Sequence, residues 1–349
     1  MFRAWLESLP SPGTRRTYES AMRAYFRVVI GDISDLDTMA ADYLSGGKNY
    51  RADVLKFFAE RKDEIAPKTM SSFLSIIKNF LVDNGIDLPA GFWRKLSRRV
   101  RARPITHEDI PTSEELRRIF SHLNIRDRAY FHLLASSGCR PSEPLSITFD
   151  RLDIESHPPR AYLLGEHTKN RLPRVVFFTQ EAIEALEEWF KVRLNWLWSV
   201  ETRHWSKEFD KERVFPFSDD VLREGWRRAL RNSGLMVQDE RTGFASRRPH
   251  TLRKRFRTQM GATIPVDAVE AMMGHSGYET SAYRRYTEEE LAEFYLQGEH
   301  VLYLSNEPAE VRRLAREMRE RDARIEKLEQ ELKLLQAERL LDEALDEKD

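Results

Sequence analysis

Apolar residues recur at helical spacing through most of this chain of 349 residues, and this pattern restricts the fold more than any other feature. It is clearest over 17–28 and 66–84, where side chains three and four positions apart share one helix face. Proline and glycine breakers interrupt the pattern at short intervals, which predicts about four or five short helices in the first hundred residues. The N-terminal part is therefore expected to be all-helical.

One stretch departs from this pattern. Residues 160–164 and 174–178 have the composition of extended strands and flank a turn-like segment, 165–171, which predicts a β-hairpin. Helical spacing resumes at Glu181 and continues to Tyr283. The predicted fold class is mainly α with a small β-sheet or hairpin, so that the second part of the chain is an α+β domain.

The length of the chain exceeds that of a usual single domain, so we expect two domains and a small appendage. Thr112 and Glu115 have the spacing of a capping box, which marks the start of a helix and of a new domain. The predicted boundaries are a helical domain over 1–100, a basic linker over 101–111, an α+β domain over 112–304 and a C-terminal helix over 305–349.

The overall charge gives little support to a nucleic-acid partner. Fifty-seven Lys plus Arg balance 57 Asp plus Glu, so any phosphate contact must come from a local cluster of cations. Residues 94–103 provide one, which we interpret as a strap between the domains that lies on a DNA backbone; a solvated connector is the alternative. The predicted DNA-binding residues are Arg94, Lys95, Arg98, Arg99, Arg101 and Arg103.

Cysteine content and hydropathy predict the compartment. Cys139 stands alone, which excludes an internal disulfide and favours a reducing, cytoplasmic location. No apolar run approaches the roughly 20 residues needed to cross a bilayer, and nothing near Met1 resembles a signal peptide. We therefore expect no membrane partner.

Several side chains suited to phosphodiester chemistry occur far apart in the sequence. Arg140 lies within Gly-Cys-Arg-Pro-Ser-Glu, Arg253 follows His250 by one helical turn, and His275 follows a glycine. Guanidinium groups neutralise charge on phosphate oxygens through fixed, bidentate hydrogen bonds. An isolated H-x-x-R pair has little specificity, so the order of the elements matters more than any one of them.

These elements, in this order, resemble the tyrosine recombinase family, which includes lambda-type integrases and Xer recombinases. The family pattern is an arginine in G-x-R-x-x-E, a hairpin lysine, H-x-x-R, G-H and a nucleophilic tyrosine, and it spans Thr112 to about Leu304 here. The helical N-terminal domain is similar in size and position to the family's core-binding domain. A finer likeness, in 252–256 and 283–291, is to integrases of archaeal viruses and plasmids.

The resemblance implies a role for each matched residue. Arg140 and Arg253 would clamp the scissile phosphate, and His250 and His275 would add hydrogen bonds. Glu143 is similar to the family's supporting acid, which would orient His250 or an arginine.

The resemblance leaves two choices open. Lys169 is the lysine of the predicted turn and would protonate the leaving 5′ oxygen, although His167 could share this step. Tyr283 is the predicted nucleophile and Tyr286 the alternative, because the family's usual spacing from the histidine falls on Arg284. A cationic pocket would activate either phenol.

The expected activity is site-specific recombination. Tyrosine would attack phosphorus to form a 3′-phosphotyrosyl bond, and a 5′-hydroxyl would later reverse the attack, so that neither ATP, a metal nor another cofactor is needed. The expected partners are double-stranded DNA attachment sites of a mobile element and further copies of the chain, as a tetramer on paired sites. Two alternatives are a topoisomerase IB-like relaxing enzyme and an inactive DNA-binding protein of the same fold.

The C-terminal segment has its own pattern. Apolar residues alternate at three- and four-residue steps from Val311 to Leu335, with Arg321 at the one polar position. A heptad run of this kind predicts a coiled coil with a partner helix; a single helix docked on the preceding domain is the alternative.

Overall fold

The computed structural model describes residues 1–31, 35–101, 107–203, 210–240, 242–275 and 286–305, together with nine positions between 311 and 333. These residues form two compact units. The first contains 1–109 and 237–246, and the second contains 110–236 and 247–349. No helix of the described ranges is long and apolar enough to cross a membrane.

The first hundred residues confirm the all-helical prediction, but the described part of 2–100 contains six helices where four or five were expected. Prolines at the first turn start α2 and α5, because their missing N–H is not needed there. Aromatic rings packed edge to face fill the interior. Phe57 packs in this way against Tyr25, and Phe26 packs against Tyr43. The helices are α1 (Phe2–Glu7), α2 (Pro12–Val29), α3 (Leu36–Leu44), α4 (Tyr50–Arg61), α5 (Pro67–Asp83) and α6 (Ala90–Val100).

Helix α6 corrects the interpretation of the basic run as a strap. Phe92, Trp93, Leu96 and Val100 are buried in the core of the first unit, so the residues up to Val100 are a packed helix and not a connector. The basic side chains occupy the opposite, exposed face, which is the usual arrangement of an amphipathic helix.

The second unit surrounds a helix that is buried on nearly every side, α8, which carries Tyr130, Phe131 and Leu134 in its middle. The predicted capping box of Thr112 and Glu115 is present at the start of α7. The helices are α7 (Ser113–Ser121), α8 (Ile125–Ser137), α9 (Gln180–Arg203), α10 (Asp219–Asn232), α11 (Pro249–Met260), α12 (Val266–Met273) and α13 (Glu288–Gly298).

A three-stranded antiparallel sheet lies beside these helices. Strands β1 (Leu152–Asp153), β2 (Arg160–Leu163) and β3 (Arg174–Phe177) follow one another in the sheet, and Ala161 pairs with Val176. The predicted hairpin of β2 and β3 is confirmed. The sequence did not predict β1, because two residues are too few to show alternation.

The end of the second unit is held by a side chain. Residues 299–301 form a turn of 3-10 helix after α13. The backbone N–H groups of Leu304 and Ser305 donate to the carboxylate of Glu181, at 2.8 and 2.9 Å. The Glu181 side chain thus fixes the backbone at the end of this segment. The described tail residues beyond it are helical and exposed.

Candidate active site

The site begins where α8 ends. Gly138 terminates the helix with φ +63°, a left-handed conformation that favours glycine. Any Cβ at this position would also lie 2.8 Å from Cε1 of Phe256 on α11. The glycine therefore allows α8 and α11 to approach closely, and the chain turns there toward Arg140.

The Glu143 carboxylate organises this turn. It accepts the backbone N–H of Arg140 at 2.6 Å and one guanidinium N–H of the same residue at 2.9 Å. Its side chain is only 1% exposed. Burial opposes ionisation, but the hydrogen bonds and positive charges of Arg174 and Arg140 outweigh it and hold the pKa of Glu143 below its ordinary value. The carboxylate is thus a buried anion that fixes Arg140 in place.

Arg174, at the start of β3, is the second cation on this carboxylate. Its Nη2 lies 2.5 Å from Oε2 of Glu143 and its Nη1 lies 3.3 Å from Oε1. Its Nε donates to the backbone oxygen of Met272, at the end of α12, at 3.1 Å. Arg174, which is not among the residues predicted from the sequence, joins the hairpin to the two other parts of the site.

Arg253 on α11 is the third guanidinium of the cluster, and it is 3% exposed. It donates to the backbone oxygens of Gly138 at 2.5 Å and Met273 at 2.8 Å. Burial first, and then the positive charge of Arg140, lowers the pKa of Arg253 to about 10. Keeping this side chain cationic therefore has a cost, which a bound anion would reduce.

His275 contacts Arg253 directly. Its Nε2 lies 2.7 Å from Nη2 of Arg253, and its Nδ1 contacts a carboxylate oxygen of Glu270. A guanidinium can only donate, so Nε2 is the acceptor and Nδ1 carries the proton that is donated to Glu270. The other oxygen of Glu270 accepts from Nε of Arg257 at 2.5 Å. The tautomer and orientation of His275 are thus fixed from both sides.

Glycine before His275 has a structural reason. Gly274 ends α12 at φ +65°, and a Cβ there would lie 2.9 Å from Cδ of Arg174. The Nδ2 group of Asn170, in the hairpin turn, donates to the Gly274 oxygen at 3.1 Å. The G-H pair therefore reflects the close approach of the hairpin to the end of α12.

The remaining predicted polar residues are solvent-exposed. His250, on the first turn of α11, is exposed, whereas Arg253 on the same helix is buried. Desolvation of the ring, followed by the charges of nearby cations such as Arg253, lowers the pKa of His250. His167 and Lys169 lie exposed in the hairpin turn. The side chains of His250 and Lys169 are therefore both accessible to solvent.

Of the two candidate nucleophiles, Tyr286 lies within the described residues and Tyr283 lies outside them. Tyr286 is half-buried, and its ring packs edge-on against Phe294 of α13 with centroids 5.5 Å apart. Tyr286 thus has a packing environment of its own beside the core of α11, α12 and α13.

The predicted DNA-binding residues divide in a similar way. Arg94, Lys95, Arg98 and Arg99 lie on the exposed face of α6, and Arg101 ends that helix in a left-handed conformation. Arg103 lies outside the described residues. Four of the six cations therefore form one face of a packed helix.

Comparison with known proteins gives the family. A sequence profile described as "Phage integrase family" matches residues 110–292, which is more than half of the chain. The chain belongs to the phage integrase family. The match begins just before α7 and ends within α13, so it contains the whole arginine cluster.

Curated relatives agree with this result. The chain is 30% identical over 184 residues to the tyrosine recombinase XerC of Mannheimia succiniciproducens, a match covering 50% of this chain and 54% of that protein. It is 25% identical over 255 residues to XerC of a Shewanella strain, covering 71% and 78% of the two proteins. The chain thus spans about half the length of the first relative and more of the second.

Solved structures show the fold. A lambda integrase tetramer bound to a Holliday junction aligns with a TM-score of 0.54 and 14% identity, covering 82% of this chain and 80% of that one. Lambda integrase residues 75–356 bound to DNA align with a TM-score of 0.52, covering 83% and 93%. The mainly helical architecture with a small antiparallel sheet is therefore the integrase fold.

Sequence reasoning missed Arg174, Glu270 and Asn170. Each is an ordinary polar residue in the sequence. Arg174 and Asn170 acquire their importance from partners that are distant in the sequence, Glu143 and Gly274. Spacing alone carried no signal for Arg174 or Asn170. Glu270 stands five residues before His275, and this short separation was the one signal in the sequence that the two side chains could meet.

Proposed function

We propose that this chain is a site-specific DNA recombinase that cleaves and rejoins DNA through a covalent 3′-phosphotyrosyl intermediate. One observation carries the proposal, which is the charge of the buried cluster. Arg140, Arg174 and Arg253 bring three positive charges together, and Glu143 is the carboxylate that lies among them. An anion stabilises such an excess of positive charge. The phosphorane-like transition state of phosphodiester cleavage is such an anion, because negative charge gathers on its nonbridging oxygens.

The residues divide the reaction between them. Arg140 and Arg253 hold the nonbridging oxygens of the scissile phosphate, and His275, whose Nε2 accepts from Arg253, keeps that guanidinium in position. The Tyr283 oxygen attacks phosphorus, and neutral His250 accepts the phenolic proton. The bond from phosphorus to the 5′ oxygen breaks, and Lys169, or His167, protonates the leaving oxygen. Reversal by another 5′-hydroxyl rejoins the strand, with the number of phosphoester bonds unchanged.

Tyr283 is preferred to Tyr286 as nucleophile for a physical reason. A nucleophilic phenol must reach phosphorus with its oxygen accessible, whereas the Tyr286 ring is held against Phe294 and its hydroxyl oxygen is buried. Tyr286 therefore fits a packing role better.

DNA is the proposed substrate and partner. The exposed cations of α6 would contact backbone phosphates, which fixes position without reading sequence. The neighbours in fold include a DNA-bound tetramer, which supports a homo-oligomer on paired duplex sites. The exposed heptad seam of the tail, including Leu314, Ile325 and Leu328, would add a coiled-coil contact between copies. A mobile element of archaeal type and a cytoplasmic location stay predictions.

A nicked suicide substrate tests the proposal. Duplex that the chain selects from a random pool is nicked at successive positions near its centre and incubated in EDTA, so that a freed short strand diffuses away and traps the adduct. We expect a protein–DNA adduct that resists detergent and is removed by proteinase K. Binding without any adduct would indicate an inactive DNA-binding protein. Relaxation of supercoiled DNA without strand exchange between two labelled sites would indicate a topoisomerase-like enzyme.

A further inference from the structure

Arg174 uses every nitrogen of its guanidinium group within the protein. Nη1 and Nη2 contact the two oxygens of Glu143, and Nε donates to the Met272 oxygen. Its side chain is 8% exposed. A guanidinium with all its nitrogens engaged and almost no exposed surface is poorly placed to bind a substrate phosphate. Arg174 therefore differs from Arg140, which reaches the surface of the cluster with 22% of its side chain exposed.

Three segments meet at this one side chain. The first is the turn that carries Arg140, which Glu143 holds through a backbone and a side-chain hydrogen bond. The second is the hairpin, since Arg174 begins β3 five residues after Lys169. The third is the end of α12, because the carbonyl of Met272 lies three residues before His275.

A second contact joins two of these segments independently. Asn170 of the hairpin turn donates to the Gly274 oxygen, so Lys169 and His275 are each next in sequence to one end of this hydrogen bond. Gly274 also leaves room for Arg174 to cross the end of α12, because a Cβ at position 274 would lie only 2.9 Å from Cδ of Arg174 and would clash with it. The hairpin is thus attached to the end of α12 at two points.

Arginine is the side chain that this junction requires. A guanidinium presents a planar fork to a carboxylate and a further donor, Nε, in a fixed direction, whereas a lysine ammonium is a point charge on a flexible stem. A lysine at position 174 could keep the charge beside Glu143, but it could not also hold the carbonyl of Met272 in the same geometry.

We propose that Arg174 is a positioning residue, which sets the placement of Arg140, Lys169 and His275 relative to one another without touching the phosphate. This inference rests on the proposed function of the same site. It implies that the chemical step depends on the shape of the Arg174 side chain more than on its charge, because a small misplacement of reacting groups slows a reaction strongly.

The test compares Arg174→Lys with a matched control, Arg193→Lys. Arg193 is also buried in the second unit, where it donates to backbone oxygens of Lys211, Arg213 and Val214 and lies over the Phe149 ring. Both substitutions keep the charge and remove a guanidinium fork from the interior. The readouts are the midpoint of thermal unfolding, the affinity for the selected duplex and the single-turnover rate of adduct formation at saturating protein.

We expect the two variants to lose similar thermal stability and to bind DNA within about 3-fold of the wild-type affinity. The adduct rate of Arg174→Lys should fall by about 30-fold or more, whereas that of Arg193→Lys should stay within about 2-fold. Equal rates in the two variants would overturn the proposal. If Arg174→Lys does not unfold cooperatively, Asn170→Ala replaces it, with an expected loss of about 5-fold and the same criterion.

A readout that needs no cleavage separates this inference from the proposed function. Inorganic phosphate should raise the unfolding midpoint of the wild type above that in sodium chloride of equal ionic strength, because it binds the folded cluster. This rise should persist in Arg193→Lys and disappear in Arg174→Lys. A wild type that shows the rise but forms no adduct contradicts the recombinase proposal alone. A rise that persists in Arg174→Lys contradicts the positioning role, as would its absence from all three proteins.

Discussion

The interiors of the two units are built from different kinds of side chain. Over the described part of 2–100, the first unit buries aliphatic and aromatic groups, and its buried phenols, Tyr25 and Tyr43, hydrogen-bond to each other at 2.6 Å. The second unit buries charged side chains as well. Among the described residues of that unit, the buried charged side chains are Asp127, Glu143, Arg193, Arg253 and Arg255.

The two kinds of interior have opposite effects on the free energy of folding. Burying apolar surface stabilises a fold at about 25 cal/mol per Å², whereas burying an ion costs free energy unless its partners compensate fully. Burial and the neighbouring Arg140 lower the pKa of Arg253, so the partners of this one side chain do not compensate its burial fully. We infer that the second unit keeps a costly cationic cluster because an anionic transition state needs it, while the first unit provides a stable body with a basic helix face.

The largest expected effect concerns a buried arginine of the second unit. Arg253→Lys should slow adduct formation by about 10⁴-fold, because one fixed guanidinium on a transferring phosphoryl group contributes on this scale. The matched control is Arg255→Lys on the same helix, since Arg255 is equally buried but donates to Ser113 and Val301. Rapid-quench assays of both variants measure the rates. A comparable loss in Arg255→Lys would mean that burial of charge, and not position, governs the rate.

The next effect concerns the apolar interior of the first unit. Phe57→Ala should lower the free energy of unfolding of that unit by about 4 kcal/mol, because the removed ring leaves a cavity. Phe57 is fully buried, whereas Phe244 of the same unit is 55% exposed and serves as the control. Urea titration of the full chain, followed by circular dichroism, measures both. The contrast between the units fails if Phe57→Ala changes the adduct rate of the folded protein as strongly as Arg253→Lys.

A pH effect should appear in the second unit. Burial and the charge of Arg128 lower the pKa of His132 to about 4. The unfolded chain then binds one more proton than the folded chain between pH 6.5 and 4, so stability falls as the pH falls through this window, by up to about 3 kcal/mol. Replacing His132 by Gln should remove most of this slope, whereas replacing the exposed His122 should not. Unfolding midpoints from pH 7 to pH 4 provide the measurement.

The smallest of these effects concerns His275. Glu270→Gln keeps a hydrogen-bond acceptor for Nδ1 but removes the negative charge, so the rate of adduct formation should fall by about 10-fold with little change in stability. Asp267→Asn, an exposed change on the same helix, is the control. An unchanged rate in Glu270→Gln would show that the carboxylate does not act through His275.

Local patterns predicted most of the fold. Helices α2 and α5, the capping box of α7 and the β2–β3 hairpin each follow from the spacing or chemistry of a few neighbouring residues. The interpretation of the basic run as a strap was wrong because its charges alternate with, and follow, the apolar residues of a buried helix face, Phe92, Trp93 and Leu96.

The candidate site was predictable only where the family pattern names its residues. Arg140 and Arg253 lie in the cluster as the resemblance implies. Arg174 could not be found, because its importance depends on Glu143 and Met272, which reach it only through the tertiary fold. Glu143 itself was expected to be a supporting acid, and its burial between two arginines was visible only in the structure.

Mapping the trapped adduct tests the central claim most directly. Arg284 and Arg285 separate the two candidate tyrosines, so trypsin places Tyr283 in the peptide 258–284 and Tyr286 in 286–312. Mass spectrometry of the nuclease-treated adduct then reads the attachment site, with Tyr283→Phe and Tyr286→Phe as matched variants. We predict a nucleotide joined through its 3′-phosphate to Tyr283, and loss of the adduct in Tyr283→Phe alone. Attachment to Tyr286, or an adduct that survives both substitutions, would contradict the account.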